Sequence, residues 1–424
     1  MKILALVTIA ACTARAQSLP PVHPITAVQA ITTEPLVSVS QVRELPGGRV
    51  IVNDLAGRRV LMFDSTLKSF TAIADTTPAT GNMYASTFAG IVSYHGDSTL
   101  FVDPVTVSMF LIDGSGKVVR TMAAPPRDDA TYLVGGPYGT PGTDSRGRLV
   151  YRARVGGLMM IINAPRPGEP PPPPQRDSSM VMRMTFSSRA RDTVAKFEVP
   201  FFPANIVRDD NGHATLTTVI NPIPWIDDWA LMSDGRVAVV HGREFRVDYF
   251  DEDEKLIVSA KIPFDWQPLS DSAKSALLDS VRAARAPELA AQARADSLMR
   301  LRRMPDPANA VRAPAGLTPA RAGGTVQTDF VPINELPDYR PPFQRAAARG
   351  DLAGNLWVRT TKIENGGAVY DVIDPKGKLI DRVAVPAGRV IAGFGRGGVV
   401  YMGVLDGTVA RLERARVALA GVAQ

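Results

Sequence analysis

Cysteine occurs once in this chain, at Cys12, so no disulfide framework, thiolate metal site or catalytic thiol is available to the remainder. Histidine is nearly as scarce. The four, His23, His95, His213 and His241, stand in separate segments with no H-x-x-x-H or H-E-x-x-H spacing, which excludes a helix-borne zinc centre. His95 and His241 lie at strand ends beside turns and read as hydrogen-bonded structural residues. A G-x-S-x-G elbow, a phosphate-binding loop and a dinucleotide fingerprint are all missing from any strand-to-helix setting. GFGRGG at Gly393 resembles the last of these but sits between two strand-like runs. The net charge of +6 and pI near 9.4 are basic. Much of the excess Arg falls between Arg282 and Arg321, so a nucleic-acid surface over the whole chain is not implied.

What is present begins with MKILALVTIAACTARAQ. Its apolar run, Ile3 to Ala11, is too short to span a bilayer but suits the core of an export signal. Two cleavage readings stay open. Ala14-Arg15-Ala16 before Gln17 fits the small-x-small pattern and is preferred, giving a signal over residues 1–16; Ile9-Ala10-Ala11-Cys12 resembles a lipobox that would lipidate Cys12. Either predicts an exported protein, periplasmic or extracellular, lipid-anchored on the outer surface in the second case, with no transmembrane segment.

The stretch LPGGRVIVNDLAGRRVLMFDSTLK, Leu45 to Lys68, packs short runs rich in Val, Ile and Phe between turns of Gly, Asp and Asn, the pattern of an antiparallel meander. It recurs. GIVSYHG, STLFVDP, VSMFLIDGSGK and VVRTMAAP repeat it from Gly90, and DDWALMSDG, RVAVVHG, FRVDYFDEDEK and LIVSAKIP from Asp227. Six such units stand about 45 to 50 residues apart where uninterrupted, which predicts an all-β, six-bladed β-propeller of four-stranded antiparallel blades. The sixth unit lacks a fourth strand. The β-rich segment Ile25 to Thr33 is expected to supply it and close the ring, removing an exposed sheet edge. The acidic turns FDSTLK, IDGSGK, FDEDEK and IDPKGK lack the D-x-D-x-D-G and distal Glu of a calcium loop and read as hairpin turns.

The pairs SDGRVAVV with VDYFDEDEK, DLAGNLWVR with YDVIDPKGK, and STLFVDP with FLIDGSGK resemble the NHL-type six-bladed propeller repeats of exported bacterial proteins. The resemblance implies the architecture over nearly all the mature chain. For activity it implies only a range, from binding scaffolds to lactonases and lyases.

Two insertions interrupt the repeats, dividing the chain into blades one to four with the closing strand (17–267), a helical and low-complexity segment (268–327), and blades five and six (328–424). Residues 163–179 carry five consecutive prolines and read as a projecting loop within blade three. The larger insertion has Leu277, Leu278, Val281, Leu298, Met299 and Leu301 at helical spacing, and Pro287 is expected to break it into two helices. Both its ends lie on one face of the ring, with Trp266 and Tyr339 near the hinges.

The densest cluster of candidate binding residues is NPIPWIDDWA, where Trp225 and Trp229 offer apolar platforms and Asp227 and Asp228 offer acceptors. Segments leading into other inner strands add Tyr84, Tyr132, Tyr138, Asn205 and Arg345. With no catalytic motif in view, the expected function is a monomeric scaffold without catalysis that binds a protein, peptide or glycan, with no cofactor, resident metal or nucleic acid. The competing expectation is a metal-dependent lactonase or lyase at the channel mouth, holding calcium or zinc, with Asp228 and Asn205 the first residues suspected.

Overall fold

The computed structural model describes residues 19–154, 178–199, 204–208, 214–302 and 325–419. Six antiparallel four-stranded blades form a ring. Their inner strands are Gln41–Glu44, Gly90–Ser93, Gly142–Thr143, Asp227–Leu231, Phe343–Gly350 and Arg389–Phe394. The fourth strand missing from the sixth repeat is Val28–Ile31, antiparallel to Val409–Arg416. Ahead of it, Val22–Pro24 adds a fifth strand to blade five, parallel to Leu379–Ala384. The signal region with Cys12, and most of the Pro-rich segment 163–179, lie outside the described residues.

Each blade is apolar on both faces because each is packed between two others, and one core fills every gap. Leu45, Ile51, Tyr84 and Phe101 fill the gap between blades one and two, and Val92, Leu100, Tyr151 and Met184 the next. Val150, Phe197 and Trp229 join blades three and four, and Ala230, Phe245, Phe343 and Val358 join four and five. Blades five and six share Trp357, Tyr370, Val400 and Met402. Leu36, Val52, Tyr401 and Leu412 close the circle.

The acidic turns are hairpin turns with a common chemistry. Asp64 Oδ1 accepts from the Thr66 and Lys68 N–H groups at 3.0 and 3.1 Å. Asp113 grips Ser115 and Lys117 at 2.9 and 3.0 Å, and Asp374 grips Lys376 and Lys378, each at 2.9 Å. The Thr66 and Ser115 hydroxyls, which donate to the same carboxylates, together with these N–H groups hold Asp64 and Asp113 below the usual range.

The two faces of the ring differ. On one, the loop face, long connections lead into the inner strands; on the other, the turn face, tight turns join inner to second strands. Insertions crowd the loop face over blades three to five. Ala204–Arg208 and Ala214–Ile220 form a hairpin before blade four, and Thr325–Phe330 pairs parallel to it after the helix. Pro287 does not break the helix, which runs unbroken from Asp271 to Arg302. Pro287 is exposed, so water can serve the carbonyl that loses its N–H partner. Leu278 is buried against Ile223, Val331 and Leu336, and Lys274 Nζ reaches Asp338 Oδ1 at 2.8 Å. Pro268 pairs with Tyr339, and the rings of Trp225, Trp266 and Tyr339 follow one another at 6.0 and 6.5 Å. Among the described residues no helix is long and apolar enough to cross a membrane.

Candidate functional site

The inner strand of blade five, FQRAAARG, is not a regular strand. Ala346 has φ of +59°, and the pairing with the second strand slips between Phe343 and Ala348. A β-branched residue would resist that conformation; Ala tolerates it when its surroundings hold the backbone. They do so through Asp228, whose Oδ2 accepts from the Ala347 and Ala348 N–H groups at 2.7 and 3.0 Å while Oδ1 accepts from Trp229 at 2.9 Å. One carboxylate therefore pins a bulge flanked by Arg345 and Arg349.

Arg345 is exposed, and its charge helps to lower the pKa of Arg152, which burial lowers first. The Arg152 guanidinium lies over the rings of Tyr132, Tyr138 and Phe197 at 5.6, 5.8 and 5.5 Å. Tyr132 meets Tyr138 edge-on at 4.8 Å. These residues make a cationic, aromatic-lined patch on the loop face.

That patch is not the open end of the channel. The segment Thr131–Tyr138 with Gly139 crosses the axis and plugs it. A Cβ at Gly90 would lie 2.5 Å from Val134 Cα, at Gly135 2.5 Å from the Gln41 amide nitrogen, and at Gly139 2.5 Å from Trp229 Nε1. So the plug touches blades one, two and four, and only glycine permits these approaches.

Beneath the plug lies a cavity of about 580 Å³, open on the turn face and walled by all six inner strands. Several of its charged groups are engaged by the fold. Arg43 donates to the Tyr94 and Gly96 carbonyls and to Thr99. Asp351 accepts from Ala353, Asn355 and Trp357 Nε1. Arg349 differs: its one hydrogen bond is a 3.4 Å contact to the Ala392 carbonyl, and among the described residues no carboxylate stands within ion-pair distance. Across the same wall, Glu44 accepts from the Tyr401 hydroxyl at 2.6 Å and from the Arg396 N–H at 3.0 Å. Its carboxylate lies against Gly395, three residues beyond Ala392 and so about 10 Å along the strand at about 3.3 Å per residue. A cation and a carboxylate thus face one solvent-reached space across the width of a small molecule.

The residues singled out from sequence divide into four places. Tyr132, Tyr138, Arg345 and the buried Asp228 meet around Arg152. Tyr84 is fully buried and bonds Asn53 at 2.8 Å, and Trp229, also buried, donates to the Tyr138 carbonyl at 3.0 Å. Trp225 and Asp227 line a separate groove at the rim of blades three and four, where Asp227 meets His241 at 3.0 Å. Asn205 belongs to the three-stranded sheet of the insertions. Sequence reasoning missed Arg152, Arg349 and Glu44. The signal for Arg349 was a basic residue at the axis end of an inner strand, next to a turn, where most repeats place a small or apolar residue.

Among the described residues no three His, Cys, Asp or Glu side chains converge, the Asp351 carboxylate is already engaged, and Arg349 opposes a cation.

Burial raises the Asp228 carboxyl to about 6, against the lowering effect of its N–H donors and of Arg152. The folded state therefore favours the protonated form. The stability this contributes is complete below about pH 4 and lost as pH rises through 6, at most about 3 kcal/mol for two pKa units. Urea melts should show wild type losing about 2–3 kcal/mol relative to Asp228→Asn between pH 4 and 7. Parallel curves for the two proteins would mean the carboxyl titrates normally.

Fold and cavity together define a six-bladed propeller with a blind, cation-bearing axial channel. No family model matches the chain, and no curated protein does. Solved structures do. A gluconolactonase from Xanthomonas campestris is 11% identical at TM-score 0.37, covering 94% of this chain and 97% of its own. Virginiamycin B lyase from Staphylococcus aureus, bearing quinupristin, is 10% identical at TM-score 0.39, covering 92% and 99%. A luciferin-regenerating enzyme is 11% identical at TM-score 0.38, covering 92% and 95%. All three are named as enzymes, against the expectation of a scaffold without catalysis. Likeness at this level transfers no activity to this chain, and the reaction must follow from the channel itself.

Proposed function

We propose that the chain is an exported enzyme of NHL-like repeat architecture that opens a cyclic ester, or eliminates beside a carbonyl, in its axial channel. The observation that supports this reading is that Arg349 and Glu44 both line one cavity of about 580 Å³. Both reactions need a base to take a proton and a fixed positive group for the oxygen that gains charge. In ring opening, Glu44 accepts a proton from water as the water oxygen bonds the ester carbon. Arg349 stabilises the oxyanion. The ring C–O bond then breaks, and the departing alkoxide recovers the proton from Glu44.

No step of this scheme is routed through a metal, since the Arg349 guanidinium opposes a cation in the channel. The test is turnover of a panel of small lactones by the purified protein with and without a chelator. Expected is ring opening that the chelator leaves unchanged. No turnover of any lactone or elimination substrate, or turnover abolished by the chelator and restored by calcium or zinc, would overturn the reading.

A further inference from the structure

A second cavity, about 510 Å³, opens on the turn face between blades five and six. It shares Asp351, Leu352, Phe394 and Arg396 with the axial channel, so the two adjoin. Their characters differ. The channel is lined about equally by polar and apolar surface, whereas Trp357, Phe394, Val400, Val417 and Leu419 make the second mainly apolar. Trp357, itself buried, turns its Nε1 to the Asp351 carboxylate at 2.9 Å and packs on the half-buried Phe394 with ring centroids 5.1 Å apart. Leu352 stands at the junction, 51% exposed on a tight turn.

We propose that the natural substrate is an amphiphile: a carboxylate or lactone head held at Arg349 in the channel, and an unbranched aliphatic chain running past Leu352 into the groove. This rests on the channel reading above and adds the substrate class. An apolar groove adjoining a channel that holds an unpaired guanidinium suits a ligand with one charged end and one apolar end. Each methylene laid in the groove should tighten binding about two- to fourfold, as partial to full burial of a CH₂ group gives.

The test is titration calorimetry of the full chain with butanoate, octanoate and dodecanoate. Expected is affinity that climbs steeply with length. Leu352→Glu, a change on an exposed turn that leaves the fold intact, should flatten the climb and spare butanoate, while Arg349→Gln should weaken all three alike. Equal affinity at every length, or a climb that survives in Leu352→Glu, would overturn the inference. The two readings fail separately: chain-length dependence without lactone turnover removes the catalytic reading alone, and turnover indifferent to chain length removes the amphiphile alone.

Discussion

Arg349→Ala should lower kcat/KM for ring opening by about 100- to 1,000-fold, the usual cost of removing one preorganised oxyanion donor. The melting temperature should move little, because the side chain's one hydrogen bond to the fold is the 3.4 Å contact to Ala392. Arg349→Lys keeps the charge but not the planar fork, and should recover part of the loss. Glu44→Gln should cost about 100- to 10,000-fold through loss of the base. It can still accept from Tyr401 and Arg396, so its structure should persist. Steady-state kinetics beside thermal melts separates the effects: activity lost in step with stability would mean that both residues serve the fold and not the reaction.

Why these two residues escaped sequence reasoning follows from where the ring puts them. Glu44 and Tyr401 are 357 positions apart, so only closure brings them together. Arg349 follows three alanines in a strand whose bulge is set by Asp228, some 120 positions earlier. Neither is marked by a local motif. Blades, by contrast, are local objects. Their turns carry Asp and Gly at fixed offsets, and the same Asp-to-backbone bonds recur from Asp64 to Asp374. The want of a fourth strand in the last repeat was legible for the same reason. The plug was not: GGPYG reads as an ordinary loop until the axis is in place for it to cross. Pro287 misled because the rule against proline in helices is strongest where no water can reach the freed carbonyl.

Removing residues 19–33 should lower the melting temperature by roughly 5 °C or more and drive the protein toward dimers or aggregates. Val28–Ile31 completes blade six, and the pairing continues beyond it: the Thr32 N–H donates to the Leu412 carbonyl at 2.9 Å, and the Leu412 N–H donates to the Thr32 hydroxyl at 3.0 Å. Thr32 is 1% exposed, and Ile25 is buried in the core between blades five and six. Loss of several such bonds, at about 1 kcal/mol each, and of Ile25 burial amounts to at least about 5 kcal/mol, which corresponds to the stated shift for a domain of this size. The strand Val409–Arg416 would also be left as a bare edge, a template for pairing with another copy. Calorimetry with light scattering checks both parts. An unchanged melt and a monodisperse monomer would mean the ring closes without its N-terminal strand.

The most direct measurement is a crystal structure of the protein with the hydroxy acid product of a lactone it turns over. The account predicts the product carboxylate on the Arg349 guanidinium, inside the axial channel and reached from the turn face, with Glu44 near the hydroxyl. A product bound instead on the loop face at Arg152, or in the rim groove at Trp225 and Asp227, with the axial channel holding only water, would contradict it.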